Sequence, residues 1–470
     1  MAKAISYNLR YLLLLSLISA MGGLLFGYDW VVIGGAKPFY EEYFHLTTPF
    51  QIGWAMSNAL VGCLIGAALS GFVTDKFGRK KVLIAAGFLF TISALGTALA
   101  DSFNIFVIAR IIGGVGIGMA SNVSPMYIAE IAPTRYRGRL VSLNQLTIVI
   151  GILAAQITNW LIAQPVPEGA GSVEILNSWN GQMGWRWMFG AEVVPAVAFF
   201  VLAFVVPESP RWLIKMRQLN PARQTLTKIG GAVHAEEELQ NIERSLDEER
   251  GQAGLKELLS PDIRPLLLLG IGLAIFQQWC GINVIFNYAE EIFTNAGYSV
   301  DDMFFNIVIT GTVNLIFTLV AMLTVDKWGR RKLMLLGSGG LFVIYIFVAF
   351  FYYYQMQGIH LLALVVSAIG VYAMSLAPVT WVIIAELFPN RIRGAAVSAS
   401  VFALWLACLS LTYLYPLISE MLGGGAQGTA LTFGLFAIIC LVGFVMIRRK
   451  LPETGGKSLE ELESFLMKNG

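Results

Sequence analysis

Apolar residues run along this chain in twelve long windows separated by short polar segments. A helix needs about 20 mostly apolar residues to cross the hydrocarbon core of a membrane, and every window approaches or exceeds that length. The runs are too long and continuous for the strands of a membrane barrel, so we predict helices that satisfy their own backbone hydrogen bonds. The predicted spans are 9–36, 51–73, 82–100, 103–129, 139–164, 186–206, 265–294, 303–325, 333–354, 359–388, 395–418 and 429–448.

Composition supports an all-α integral membrane protein. Hydrophobic residues make up 56% of the 470 positions and charged residues 13%, whereas a soluble protein of this size needs a more polar surface. The net charge of +2 gives no reason to expect a nucleic-acid partner. We also expect no metal and no cofactor, because the cysteines and histidines are isolated from one another along the chain. These residues are Cys63, Cys280, Cys408, Cys440, His45, His234 and His360.

Basic residues collect in alternate loops. They occur at 76–81, 135–139, 327–332 and 391–393 and after the last span at 448–450, which all fall on one face if there are twelve spans. The intervening loops are acidic instead, with Glu41, Glu42, Asp101, Glu290, Glu291, Asp301 and Asp302. The positive-inside rule therefore predicts that the basic face and both termini are cytoplasmic.

The chain is divided by a polar, charge-rich, helix-favouring segment at 207–264. On this basis we predict an N-terminal six-helix bundle at 1–206, a short cytoplasmic helical linker, a C-terminal six-helix bundle at 265–450 and a cytoplasmic tail at 451–470.

Three loop motifs occur once in each half. GFVTDKFGRKK after span 2 matches TVDKWGRRK after span 8, and EIAPTRYRGR after span 4 matches ELFPNRIRG after span 10. PESPRWL after span 6 is echoed by PETGGKSLEEL after span 12. Duplicated membrane halves indicate two bundles that rock about a central site, which is the alternating-access mechanism of transporters.

Acidic and basic residues recur at fixed spacing within these motifs. One interpretation is that they act only as topology signals. The other is a cytoplasmic gate of ion pairs that form when the inner face closes and break when it opens. Isolated surface ion pairs contribute little free energy, so a repeated network suits a gate better than a static stabiliser. The predicted gate residues are Asp75, Arg79, Glu130, Arg137, Glu192, Glu208, Arg211, Asp326, Arg330, Glu386, Arg393 and Glu453.

Two ionisable residues fall deep inside predicted spans, Asp29 in LLFGYDW and Arg110 in VIARIIGG. Charged groups at that depth are costly and mark functional sites by default. An arginine would hold the carboxylate ionised, and the carboxylate would accept a proton when that influence is removed. The alternative is a structural pair that only locks spans 1 and 4 together.

Several motifs resemble the sugar porter family of the major facilitator superfamily. They are GGLLFGYD at 22–29, FQQWCGIN at 276–283, and the PES and PET motifs, and the likeness runs nearly end to end. It implies the major facilitator fold, with two pseudo-symmetric six-helix bundles and a sugar held midway between them. It also implies proton coupling, because proton-coupled members carry an aspartate at the position of Asp29, where uniporters tend to have a neutral residue.

Sugars are bound by amides that match their hydroxyl groups and by aromatic rings against their C–H faces. Individually, intramembrane amides also serve as hydrogen bonds between helices. Gly281 predicts a break in span 7, where backbone would be exposed to a substrate. Their joint resemblance to the family's sugar site selects Phe26, Gln145, Gln277, Gln278, Asn283, Asn287, Asn314, Trp381 and Trp405.

Four positions depart from the pattern of xylose-transporting members of the family. Asn287 replaces a tyrosine, Ala377 a glycine, Leu404 an amide and Cys408 an asparagine. The second half of the site has therefore lost hydrogen-bonding groups and gained apolar surface. A sugar hydroxyl that finds no partner in the site can strongly disfavour that sugar relative to others. The resemblance therefore implies a sugar without identifying which one.

The sequence thus predicts a proton-coupled symporter that imports a monosaccharide, either a pentose or a hexose. The rivals are a proton-independent uniporter and, less favoured, a transporter-like sugar receptor. No nucleophile–base pair or phosphate loop suggests an enzyme. The expected setting is a bacterial cytoplasmic (inner) membrane, with the protein monomeric and multi-pass.

Overall fold

The computed structural model describes residues 7–167, 171–249, 258, 260–261, 263–298, 300–356, 358–388 and 392–453. Within these ranges the chain is helical, and twelve helical segments are long and apolar enough to cross a membrane, which confirms the predicted fold class. Spans 1–6 are Leu9–Tyr43, Pro49–Phe77, Arg79–Ala98, Phe103–Ile131, Thr134–Ile162 and Asn180–Ala203. Spans 7–12 are Arg264–Asn287, Val300–Trp328, Arg330–Tyr353, Ile359–Glu386, Arg393–Met421 and Gly425–Lys450. Short helices at Ser172–Asn177 and Ala289–Asn295 flank spans 6 and 7.

Several helices extend beyond the apolar windows that predict them. Span 1 continues past residue 36, through Pro38, to Tyr43. Hydropathy marks the part of a helix that lies in hydrocarbon, about 30 Å, whereas a helix of this length rises about 50 Å. The extension carries polar residues, and Lys37 and Glu41 are among them.

The described part of the linker is helical, as predicted. Pro210–Lys215 is followed by Leu219–Glu249, which is interrupted at Gly231, where φ is 84°. The helical pieces share a small apolar core. Leu213, Leu226 and Leu239 belong to this core and are each at most 5% exposed. Residues 250–257 of the predicted linker and 454–470 of the predicted tail lie outside the described residues.

The described chain forms two compact units. The first comprises 1–29, 61–151 and 190–252. Within it, spans 2 and 4 pack so closely that a side-chain carbon added at Gly62 or Gly66 would collide with the span 4 backbone. Small residues at such contacts are typical of helix association in membranes, where close backbone approach replaces the hydrophobic effect.

The second unit comprises 30–60, 152–189 and 253–470. It therefore joins the C-terminal end of span 1, the N-terminal end of span 2 and parts of spans 5 and 6 to the whole second half of the chain. The predicted domain boundaries rest on the polar segment at 207–264 instead of compactness, and they remain a prediction.

Span 7 is broken, as Gly281 predicts. Arg264–Trp279 ends beside Gly281, which has φ of 92°, and Ile282–Asn287 resumes the helix. A left-handed conformation of this kind favours glycine because it has no Cβ. Span 10 is also broken, at Ser375, where φ is −127° and ψ is −85°. The sequence does not predict this break.

We expect Gly281→Ala to lower the thermal stability of the protein. The substitution imposes a left-handed conformation on alanine, at about 1–2 kcal/mol. Its Cβ would also lie 2.6 Å from Cδ2 of Phe436. The melting temperature in detergent measures the effect. Gly434→Ala is the matched control, since a Cβ there meets no atom within 4 Å, and an equal melting temperature for the two variants would contradict this account.

Candidate functional site

A charged pair lies buried in the first unit. Asp29 on span 1 and Arg110 on span 4 are each 2% exposed. Arg110 donates from Nη1 to Asp29 Oδ1 and from Nη2 to the Asp29 backbone carbonyl, the latter at 3.3 Å. The structure thus brings together the two residues selected as the proton-coupling pair. A buried pair of this geometry stabilises each charge only while both partners are present.

Glu192 on span 6 lies beside this pair. It is also 2% exposed and interacts electrostatically with both Asp29 and Arg110. Two buried carboxyl groups therefore interact with a single guanidinium, which cannot neutralise two negative charges. Such a cluster can therefore hold and release a proton while the arginine keeps a partner. Sequence reasoning assigned Glu192 to the cytoplasmic gate, because nothing along the chain indicates that it meets span 1.

A chain of hydrogen-bonded amides lies in the second unit. Gln277 donates to the hydroxyl of Tyr372 at 2.5 Å, and Gln278 donates to Gln277. Asn283 donates to Gln278 and also to the sulfur of Cys408, at 3.6 Å from nitrogen to sulfur. All three amides are at most 8% exposed. The structure brings together these three amides, which the sequence selects as candidates for one site. Tyr372 and Cys408 also belong to the network but were not among the selected residues.

The break at Gly281 makes this network possible. Asn283 lies five residues after Gln278, a spacing that places two side chains on different faces of a regular helix. The change of direction at Gly281 brings them into contact instead. Further along the same helix, Asn287 is 4% exposed, and its Oδ1 has no hydrogen-bond partner among the described residues. A buried acceptor without a partner is costly in a folded protein and suits a ligand hydroxyl.

The remaining candidates are placed as follows. In the second unit Asn314 and Trp405 are buried, and the Trp405 ring meets that of Trp30 edge-on, with centroids 6.3 Å apart. Trp381 is 39% exposed. Phe26 and Gln145 lie in the first unit, where both are half-buried.

The first charged loop motif forms a network within the first unit. Arg79 pairs with Glu130 at 2.8 Å and with Asp75 at 3.7 Å. Glu208, from the PES motif, accepts hydrogen bonds from the backbone N–H groups of Arg79 and Lys80 at 2.8 and 3.2 Å. These are the first residues of span 3, so the carboxylate caps the positive end of the helix dipole.

The second unit repeats this arrangement. Arg330 pairs with Glu386 at 3.6 Å. Glu453, from the PET motif, accepts hydrogen bonds from the backbone N–H groups of Arg330 and Arg331, at 2.8 and 3.2 Å, at the start of span 9. The two motifs that resemble each other in sequence therefore perform the same capping and pairing in space.

Other predicted gate residues take different positions. Arg211 donates to the Ser245 hydroxyl at 3.3 Å, and Arg393 donates from Nε to the Phe388 carbonyl at 3.1 Å. Arg137 is exposed, and the side chain of Asp326 lies outside the described structure.

Comparisons with known proteins identify the family of this chain. The family profile described as "Sugar (and other) transporter" matches residues 15–466. The chain is 39% identical to the arabinose-proton symporter of Bacillus subtilis strain 168, covering 98% of this chain and 97% of the relative. It is 37% identical to the D-xylose-proton symporter of Escherichia coli K12, over 98% and 96% of the two chains.

Solved structures show the same likeness. The chain is similar to the partially occluded, inward-open form of the xylose transporter XylE from Escherichia coli, with a TM-score of 0.82 and 34% identity over 96% of this chain and 100% of that one. The proton:xylose symporter XylE bound to 6-bromo-6-deoxy-D-glucose gives a TM-score of 0.79 at 36% identity, over 98% and 100%. The family predicted from the motifs is thereby confirmed. The chain is a multi-pass membrane transporter, not an enzyme, and it belongs to the sugar porter family of the major facilitator superfamily.

Proposed function

We propose that this chain imports a monosaccharide, pentose or hexose, together with protons by alternating access. The observation that carries the proposal is the buried cluster of Asp29, Arg110 and Glu192, in which the guanidinium binds Asp29 and interacts electrostatically with Glu192. Relatives named as arabinose-proton and D-xylose-proton symporters support the proposal.

In the proposed cycle the proton acts through the Asp29–Arg110 bond. When Asp29 is ionised it holds Arg110, and this contact ties span 1 to span 4. Protonation removes the charge that Arg110 pairs with, so span 1 is released and Arg110 turns to Glu192 as its remaining carboxylate. A proton entering from one side and leaving on the other then biases the direction of transport.

The amide network is the proposed sugar-binding half-site of the second unit. Gln277, Gln278 and Asn283 bond to one another, and a sugar hydroxyl would exchange with these bonds at little cost. The free acceptor of Asn287 supplies one further polar contact. Leu404 and Cys408, both buried, form apolar surface where xylose-transporting relatives are expected to carry amides, so these two positions set the preferred sugar.

The two cytoplasmic networks are proposed to act as the inner gate. Each braces the loops of one half, and each depends on a carboxylate from the segment after the sixth span of that half. The proposed orientation places them inside the cell and the protein in the inner membrane, with both termini cytoplasmic. We propose that one chain contains the complete pathway and functions as a monomer.

Asp29→Asn is expected to abolish uphill sugar accumulation while sugar exchange continues. An amide cannot carry the proton, but it still hydrogen-bonds to Arg110. Proteoliposomes with an imposed pH gradient measure both activities, and Asp101→Asn, an exposed loop carboxylate, is the control. Uphill accumulation that survives in Asp29→Asn would contradict the assignment, and sugar flux without any pH change in the unsubstituted protein would favour a uniporter.

Leu404→Gln combined with Cys408→Asn is expected to change the preference among sugars. Restored amides pair hydroxyl groups that are now unpaired, so the ratio of transport efficiencies between two epimeric sugars should shift roughly tenfold or more. A panel of pentoses and hexoses in proteoliposomes tests this, with Cys63→Ser in the first unit as the control. A uniform change for every sugar would show that these positions affect only stability.

Glu208→Gln and Glu453→Gln are each expected to slow net uptake while leaving sugar affinity nearly unchanged. Each removes a charge at a helix N-terminus, which is worth about 0.3–1 kcal/mol of local stabilisation. Transport rate and sugar binding are measured on the same preparations. Glu236→Gln, from an exposed pair with Arg223, should match the unsubstituted protein; equal rates for all three variants would contradict the gate.

A further inference from the structure

A buried lysine lies near the C-terminal end of span 1, in the second unit. Lys37 is 6% exposed, and its Nζ lies 3.0 Å from Glu290, 3.5 Å from Glu41 and 3.9 Å from Glu291, measured to one carboxylate oxygen of each. The three carboxylates are themselves 15–25% exposed. The proposed transport cycle does not use this cluster.

The cluster joins two distant parts of the chain. Lys37 and Glu41 belong to span 1, the first span of the first half. Glu290 and Glu291 belong to the helix Ala289–Asn295, which directly follows span 7, the first span of the second half. Both segments come after an odd number of membrane crossings, so they lie on the face opposite the basic loops. By the predicted orientation this face is extracellular.

The charges in this cluster are unbalanced. One ammonium faces three carboxylates, so the carboxylates repel one another and depend on Lys37 for compensation. Burial raises the pKa of Glu291 above its usual range, Lys37 opposes that rise and Glu290 adds to it. Desolvation therefore favours separation of the two segments and return of the carboxylates to water, whereas Lys37 favours contact.

The cluster is connected to span 11 through Tyr288. Lys37 lies over the ring of Tyr288, 6.0 Å from its centroid. Tyr288 is fully buried, donates to the backbone carbonyl of Thr412 on span 11 at 2.6 Å and packs against Tyr415 with centroids 4.5 Å apart. Separation of Lys37 from Glu290 would therefore uncover Tyr288. This residue directly follows Asn287, which belongs to the proposed sugar site.

We propose that Lys37 with Glu41, Glu290 and Glu291 forms an extracellular ionic latch that holds the outer ends of spans 1 and 7 together. The latch is closed in the described structure and opens when the transporter faces outward. It rests on alternating access within the proposed function, but not on the identity of the sugar or on proton coupling. Lys37 is the switch, because the three carboxylates separate without it.

Hydrogen–deuterium exchange of the full-length protein, without sugar, tests the latch. The variants are Lys37→Met, which removes the cation, and the charge exchange Lys37→Glu with Glu290→Lys, which restores one cation among three carboxylates. Arg223→Met breaks an exposed ion pair of the linker and is the matched control. Peptides covering 30–43 and 289–295 report on the latch, and peptides covering 74–80 and 326–331 report on the cytoplasmic face.

Lys37→Met is expected to exchange on the order of tenfold faster at the latch peptides and more slowly at the cytoplasmic peptides, since opening outside closes the inside. The charge exchange should return both towards the unsubstituted values, and Arg223→Met should change neither. Should Lys37→Met fail to fold, Lys37→Gln, which also removes the cation but keeps a polar side chain, is judged by the same signs. Unchanged latch exchange overturns the proposal, and so does faster latch exchange without cytoplasmic protection, which indicates a static tie. Neither result depends on whether Asp29→Asn uncouples the proton.

Discussion

The hydrocarbon of the membrane offers no hydrogen bonds and no solvation for charge, and this constraint shapes the rest of the molecule. The described spans are helices, in which backbone N–H groups donate to carbonyl groups four residues earlier in the same helix. Where helices meet, glycines such as Gly62 and Gly66 allow backbones to approach, since lipid is already as apolar as a leucine side chain. Polar groups inside the spans are therefore costly unless other protein groups partner them.

The proposed functional groups lie where charge or a broken helix interrupts the apolar interior. Asp29 and Arg110 place opposite charges in the interior of the first unit, and Glu192 adds a carboxyl that the arginine cannot fully compensate. In the second unit, the break at Gly281 brings Asn283 against Gln278. In both places the proposed transport cycle requires that a polar group, held by protein partners in this structure, exchange those partners.

Duplication explains why the charged loop networks occur in pairs, on the face that is predicted to be cytoplasmic. Glu208 and Glu453 each cap the first backbone amides of a span and lie beside an arginine that also binds a glutamate. The proposed extracellular latch is different, because its cation, Lys37, is on span 1 and two of its carboxylates follow span 7. A transporter with opposite gates of unlike construction can bias its two faces independently.

The sequence by itself determined the number of spans, the break in span 7, the helical linker and the family. Hydropathy and turn chemistry are local properties, and the loop motifs recur as contiguous strings that can be compared directly. Only the tertiary structure decided which distant groups meet. It placed Glu192 beside Asp29, linked Gln277 to Tyr372, and set Lys37 against Glu290, 253 residues away. Such contacts depend on how each helix is rotated and packed against neighbours, and no pattern within a single apolar span encodes that rotation.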